Sequence, residues 1–434
     1  MKTRAVNPAR IGKAWFRTWV RIRASLFSIV GIAFLLRVGW ILIGHTYKFK
    51  TTDDNFSFGW EMGRIGASLA SGRGFGNQFG PPTGPTAWEP PLYPYLIAGV
   101  FHVFGIYSKA SGFVLLTFNS ACSALTCIPI FLIGRRMFSE KVAVGSAWAW
   151  ALLPNVMFWS TRAVWETSLS ALLLAVVVWL TLTTEDREGW PPWFGFGLLW
   201  GIIALNGTSL LSFLPAAGLW AWYRRARLGK RSLAGVALSA IVFLAAIAPW
   251  LARNYQTFGR FIFIRDNFGA ELRLGNGPGA DGTLMLYLDP VHDSYAIEQF
   301  QAMGELSYIA MRKQQALAYI KADYARFALL SFKRFVIFWA SPPKVTEPRW
   351  IGPVKDSLFL GSSVLMFWGL GLALRQRRPG AWLLLWLMLL YPAIYYFVYA
   401  IPRYRHPIEP VMAILCVFVL TEAVKKTAFR PTQS

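Results

Sequence analysis

The stretch "SLFSIVGIAFLLRVGWILIGHTYKFKTTDDNFSFGWE" (residues 25–61) decides how this chain is read. Its first half is apolar for about 20 residues, the length a helix needs to cross a bilayer. Its second half turns polar at once and sets two aspartates, Asp53 and Asp54, side by side. In hydrocarbon every backbone amide needs a partner within its own segment, so the apolar half is a helix. The same pattern recurs in "LAGVALSAIVFLAAIAPWLA" (233–252) and "AWLLLWLMLLYPAIYYFVYA" (381–400). The alternating apolar and polar strands of an outer-membrane barrel are absent. The fold class is therefore an all-α polytopic membrane protein.

The composition agrees. Of 434 residues 55% are hydrophobic, and the formal net charge is +23. Short basic loops on the cytoplasmic side explain that charge, so no nucleic-acid partner is inferred. The three cysteines, Cys122, Cys127 and Cys416, lie in apolar runs and read as small buried hydrophobes without a disulfide. The basic N-terminus leads into a full-length span, which reads as a retained anchor. Placing "GRRMFSEK", "YRRARLGKR", "RQRRPG" and "KKTAFR" inside gives about ten spans with both ends in the cytoplasm: 25–44, 110–134, 142–160, 166–183, 193–207, 209–223, 232–250, 357–374, 381–399 and 408–424. Residues 92–105 are too short to cross and are expected to lie in the interface. Three regions follow. Residues 1–250 form a transmembrane bundle with a first external loop at 45–107. Residues 251–355 form a second external region with interfacial helices, and 356–434 form the C-terminal transmembrane helices.

Most acidic residues fall in the two long external loops, among them Asp53, Asp54, Glu61, Glu89, Glu271, Asp289 and Glu305. Spans nearly free of charge argue against a carrier, whose ionisable groups sit at mid-membrane. The chemistry belongs at the outer face. Asp53 and Asp54 suit a general base tuned by its surroundings; the plainer reading is a helix N-cap, with Gly72 as the stop. Glu89 stands before Pro90-Pro91 in restricted backbone, with Tyr93 close behind, and is a candidate substrate contact or a plain loop glutamate. The glycines around it lack the strand–turn–helix setting of a dinucleotide site. The turn "PRYRHP" breaks the charge rule: Arg403, Arg405 and His406 stand outside and suit a phosphate clamp. Binding of ordinary anionic lipid, or pairing with Glu409, is the alternative. In "TRAVWET" (161–167) Arg162 and Glu166 stand four apart, as in a helical salt bridge. Arg37 is expected to reach the interface from its span's external end. Arg253, with Arg260 and Arg265, follows the 232–250 span and is a candidate contact for a sugar or polyanion. No zinc-ligand spacing is present.

In this order the parts resemble the GT-C-type membrane glycosyltransferases of the family-39-like branch, which includes protein O-mannosyltransferases and the lipid A aminoarabinose transferase. The matching residues are the acidic pair after the first span, "IGASLASGRGF" ahead of "PPLYPYLIAGVFHVFG", "WET", "PWLARNYQTFGRF" and "RYRHPIEP". The resemblance implies a GT-C-like bundle and a sugar donor on a polyprenyl phosphate, used at the outer face of a bacterial inner membrane. An external aspartate acts as base, Asp54 before Asp53, and the anomeric carbon is inverted. Arg403, Arg405 and His406 hold the lipid phosphate, while Glu89, Tyr93, Glu166 and Arg253 are weaker substrate contacts. Some relatives use a divalent cation and others none, and the acceptor is left open. The sequence departs from the usual Asp-Glu pair with Asp-Asp, and from a basic residue before the first loop proline with Glu89. A lipid-linked-sugar flippase and an envelope glycan ligase or polymerase are the alternatives.

Overall fold

The computed structural model describes residues 25–49, 56–230, 233–341 and 351–428. The first span is α1 (Leu26–Ile43), capped by Ser25. The loop after it carries a 3-10 turn, Phe56–Phe58, then α2 (Glu61–Ala70). α2 opens at Trp60, later than an aspartate cap would place it, and Gly72 at φ +74 follows its end. The short apolar α3 (Leu92–Phe104) lies where an interfacial helix was expected. Next come α4 (Lys109–Leu125) and α5 (Cys127–Met137), which together make one apolar span. α6 (Glu140–Leu152) and α7 (Pro154–Thr161) are bent by 52° and lead to α8 (Thr167–Thr183). α9 (Pro191–Asn206) and α10 (Leu214–Arg227) are joined by Gly207 and a 3-10 turn, Thr208–Phe213. α11 (Leu233–Phe258) precedes α12 (Phe268–Gly275), α13 (Ser294–Met303), α14 (Glu305–Ala322) and α15 (Tyr324–Ala340). α16 (Ile351–Arg375), α17 (Ala381–Phe397), a 3-10 turn at Pro402–Ile408 and α18 (Glu409–Ala428) complete the chain.

The expected spans fall mostly on α-helix, except that 142–160 falls on a pair bent by 52° and 209–223 opens in the 3-10 turn, and the chain is an integral multi-pass membrane protein. Among the described residues, length and composition qualify six stretches to cross unaided: α1, α4–α5, α8, α11, α16 and Pro402–Val424. The bent pair α6–α7 makes a seventh if it is one span; α17 is apolar but shorter. Of the qualifying window in α8, 67% is buried inside the protein, against 17% in α11. α8 is thus central, and α11 shows most of its surface outward.

Two features hold the bundle. α9 and α11 touch through small residues, the packing that brings apolar helices close. A Cβ at Gly197 would overlap Ser239 O, and one at Gly201 would stand 2.5 Å from Ala246 Cβ. The second feature corrects the expectation for Arg37, which turns inward and is fully buried. Pro154 has no N–H for the carbonyl four residues back, so the α6–α7 bend frees Trp150 O. Arg37 Nη2 donates to that oxygen (3.2 Å) and Nη1 to Ala151 O (3.0 Å), while Nε takes Ser123 Oγ (3.1 Å). An arginine inside a span is thereby saturated by the very carbonyls the bend exposes.

Arg334 of α15 works in the same way. Its Nη2 donates to Gly275 O (2.5 Å) and Asn276 Oδ1 (3.0 Å), and its Nη1 to Phe397 O (2.9 Å). The end of α12 is thus tied to the end of α17, where Glu271 and Tyr399 meet.

Candidate active site

A cavity of about 500 Å³ lies where these pieces converge. Its first wall is built by the turn before α2. Gly59 adopts φ +82, and a Cβ there would stand 2.5 Å from Val164 O. Val164 N donates to Ser57 O (2.9 Å), so this turn is seated on the break between α7 and α8. The seating sets Trp60 edge-on to Trp165, 5.8 Å between ring centroids, and brings Glu61 and Glu166 to the lining.

The second wall is the loop holding Trp88 and Glu89. Glu305 of α14 anchors it, accepting from Thr86 Oγ1, from Ala87 N (2.6 Å) and from Gln78 Nε2 (2.8 Å). Arg253 clamps the same loop through Thr86 O (2.6 Å) and Phe75 O (2.9 Å). Asp266 N donates to Ala87 O (2.9 Å), which brings Arg265 beside Glu89. Arg265 Nη1 stands 3.5 Å from Glu89 Oε2, and its Nη2 stands 3.6 Å from Glu271 Oε1. Asn267 joins them, accepting from Arg265 Nε (2.8 Å) and donating to Glu271 Oε1 (2.8 Å). Glu271 Oε2 accepts from Tyr399, whose hydroxyl accepts from Tyr404 (3.0 Å). A chain of polar contacts thus runs from the first external loop to the turn before α18.

The third wall is that turn. Arg403 lays its guanidinium on Trp165, with Cζ 3.6 Å from the ring centroid. Its Nε and Nη1 are buried without a hydrogen-bond partner. Arg405 and His406, three residues or fewer away, do not line the cavity. Arg405 Nε and Nη2 donate to Glu409 Oε1 (3.1 and 3.0 Å), and Nη1 donates to Phe359 O and Ser363 Oγ (2.9 Å each). His406 Nδ1 meets Glu409 Oε2 at 2.9 Å. The expected three-membered clamp is therefore divided: pairing with Glu409, the alternative reading, accounts for Arg405 and His406, and Arg403 alone faces the cavity.

Other expected contacts also separate. Glu89 and Glu166 line the cavity; Tyr93 and Arg253 do not. Tyr93 donates to Asn119 Oδ1 (2.9 Å), and Asn119 Nδ2 donates to Ala163 O and Trp165 O (3.3 and 3.2 Å), so Tyr93 braces the Trp165 backbone. Among the described residues no Arg162–Glu166 ion pair forms. The helix breaks between Thr161 and Thr167, and four-residue spacing has no helical meaning there. Asp53 and Asp54 lie outside the described residues; Phe56, two positions on, packs its ring against Trp60 and Trp165. The sequence reading missed Tyr391, Tyr395 and the Asn206–Ser212 turn, which complete the lining. It counted Glu61, Glu271 and Asp289 only as external acids.

The carboxyls of this site stand beside one another, Glu89 and Asp289 buried and Glu61, Glu166 and Glu271 half-buried. Burial pushes Glu61 up to about 8, with the neighbouring charges of Asp289 and Glu89 adding to it. Burial pushes Glu89 up to about 7, against the pull of Arg265 and with Glu166 and Glu271 adding. A carboxyl near 7 is matched to taking a proton at physiological pH. Among the described residues no group of three His, Cys, Asp or Glu side chains is arranged to hold a metal ion.

The family described as dolichyl-phosphate-mannose-protein mannosyltransferase matches residues 88–252. No curated protein matches the sequence. Among solved structures, the Archaeoglobus fulgidus oligosaccharyltransferase tethered to an acceptor peptide with the NVT sequon superposes with a TM-score of 0.55 at 16% identity, over 95% of this chain and 50% of that one. The same organism's AglB, in complex with an inhibitory peptide and a dolichol-phosphate, gives 0.53 at 16% identity, over 96% and 53%. This chain spans about half the length of those enzymes. ArnT from Cupriavidus metallidurans, bound to undecaprenyl phosphate, gives 0.40 at 12% identity over 95% and 78%, a likeness too loose to carry weight. Over residues 88–252 the family match, and over most of the chain the fold, bear out the resemblance to the GT-C-type membrane glycosyltransferases that was read from the sequence.

Proposed function

We propose that the protein moves a sugar from a polyprenyl-phosphate carrier to an acceptor at the outer face of a bacterial inner membrane, inverting the anomeric carbon. The observation that carries this reading is the cavity itself. A guanidinium with unfilled donors, from the end of the chain, shares one water-poor space with carboxyls of the first external loop. Arg403 receives the phosphate of the carrier, where charge-assisted hydrogen bonds are strongest. A carboxylate of the first loop takes the proton from the acceptor nucleophile. That nucleophile attacks the anomeric carbon from the face away from the phosphate, a new glycosidic bond forms, and the carbon–oxygen bond to the phosphate breaks. The leaving phosphate carries the developing negative charge, and Arg403 stabilises it in place.

The proposed base is Asp54, with Asp53 second, on the family resemblance. Of the carboxyls that line the cavity, Glu89 and Glu61 form the second reading, because their raised affinity for protons suits the task. The experiment incubates purified protein with a panel of polyprenyl-phosphate sugars and candidate acceptors and follows the free lipid phosphate. Asp54→Asn abolishes release on a donor that the wild type turns over. If Asp53→Asn and Asp54→Asn both match the wild type while Glu89→Gln or Glu61→Gln fails, the base is the cavity glutamate. If no carboxyl variant and no Arg403 variant changes the rate, the proposed site is wrong.

A further inference from the structure

Trp165 is 2% exposed, yet its indole Nε1 is buried with no hydrogen-bond partner. The indole N–H only donates, so a group that satisfies it must be an acceptor. Trp60 Nε1, on the facing ring, is buried and unpartnered as well. With Nε and Nη1 of Arg403, these make a set of N–H donors without partners on residues lining one cavity. Glu166, the next residue, keeps its own Oε2 buried and without a partner, so the neighbouring carboxylate does not supply the missing acceptor. A folded chain rarely leaves one such donor dry, because each costs on the order of 1–3 kcal/mol. Several around one cavity point to a ligand rich in acceptor oxygens.

Trp165 is also held more firmly than packing requires. Its carbonyl is bound by Asn119, Asn119 is bound by Tyr93, and Val164 is pinned to Ser57. Its ring carries the Arg403 guanidinium at 3.6 Å, well inside the range of a cation–π contact.

We infer that Trp165 is a phosphate-binding residue as well as the platform for Arg403: its ring fixes the guanidinium, and its indole N–H donates to the same phosphate group. This rests on the proposed function, which assigns the phosphate to Arg403, and adds a binding group that the charge pattern does not reveal.

The test uses detergent-solubilised full-length protein labelled with 5-fluorotryptophan, with farnesyl phosphate as the probe. Farnesol and inorganic phosphate form the control arms. The Trp165 fluorine resonance is assigned by its loss in Trp165→Phe, or in Trp165→Tyr should the first variant not accumulate. Farnesyl phosphate is expected to shift that resonance saturably and farnesol to leave it in place. A shift by inorganic phosphate at similar concentrations would assign the site to the free anion rather than the lipid, with the same donors. Trp165→Phe keeps a ring under Arg403 but lacks the N–H, and should weaken farnesyl phosphate binding about tenfold, the value of one hydrogen bond to a charged group. Trp165→Leu, which removes the platform too, should weaken it further. If Arg403→Ala abolishes binding while the Trp165 resonance stays still and Trp165→Phe binds like the wild type, the inference about Trp165 fails and the functional reading survives. If Arg403→Ala binds farnesyl phosphate like the wild type, the phosphate site itself is misplaced, and both fall.

Discussion

Arg403 and Arg405 stand two residues apart and should fail in opposite ways. Arg403→Ala removes a half-buried cation whose Nε and Nη1 are buried without hydrogen-bond partners. Its loss gives up a cation–π contact with Trp165 worth about 0.5–2 kcal/mol. It also relieves the cost of a poorly solvated charge, and the two terms oppose, so the unfolding midpoint should hardly move. Transition-state stabilisation is another matter. Removing one preorganised donor from a developing oxyanion costs about 2.7–4 kcal/mol, or 10²–10³ in rate. Arg403→Ala should therefore lose about that factor in release of polyprenyl phosphate, and Arg403→Lys, which keeps the charge without the planar fork, should fall between. Arg405→Ala reverses the pattern. It deletes four hydrogen bonds and leaves Glu409 buried against His406 and Asn155. Breaking a buried pair in this way costs about 3–5 kcal/mol. The assay is paired: lipid phosphate release under saturating donor, and thermal unfolding of the same preparations without donor. Equal losses of midpoint in both variants, or wild-type turnover in Arg403→Ala, would refute the division of the turn into one working and two structural cations.

Three further outcomes follow from the same geometry. Glu61 holds its proton up to about 8 in the folded protein, far above an unfolded glutamate, so the native state binds more protons than the unfolded chain. Stability should therefore fall as pH rises from about 4.5 toward 8, and Glu61→Gln should flatten the unfolding midpoint measured between pH 5 and 8.5. Glu305→Ala frees the loop that carries Glu89, stranding the donors of Gln78, Thr86 and Ala87. It should lower the midpoint by several degrees and speed limited proteolysis of residues 75–88, whereas Glu305→Gln should do less. Gly197→Val drives a side chain into Ser239 O on the facing helix, and overpacking of that kind costs about 1–3 kcal/mol; loss of folded protein on size exclusion would show it.

The helices were legible because apolar runs of bilayer length can do little else. Arg403 drew notice for a related reason: its cluster of basic residues breaks the charge rule of the expected topology. What the sequence could not show is which way each of those cations points. Within one 3-10 turn Arg403 faces the cavity and Arg405 faces Glu409, and only the packing of α16 and α18 against the turn decides it. Arg253 misled for the opposite reason, since an arginine that binds a loop's carbonyls and one that binds a sugar look alike in sequence. Tyr391 and Tyr395 sit in an apolar span where aromatic residues usually mean lipid contact, and their place in the lining emerges only once α17 is packed. Arg37 was misjudged because the carbonyls that bury it are freed by a proline more than a hundred residues away.

The proposal that the cavity opens outward and holds a lipid phosphate on Arg403 can be tested in intact cells. Ser209, which lines the cavity, is the reporter. Ser209→Cys is placed in a chain whose three native cysteines are replaced by alanine, and the cells are treated with a membrane-impermeant maleimide. The cysteine should react from outside, polyprenyl phosphate should protect it, and Arg403→Ala should abolish the protection. Labelling only after the membrane is opened, or protection that persists without Arg403, would show that the phosphate site is not where the turn before α18 puts it.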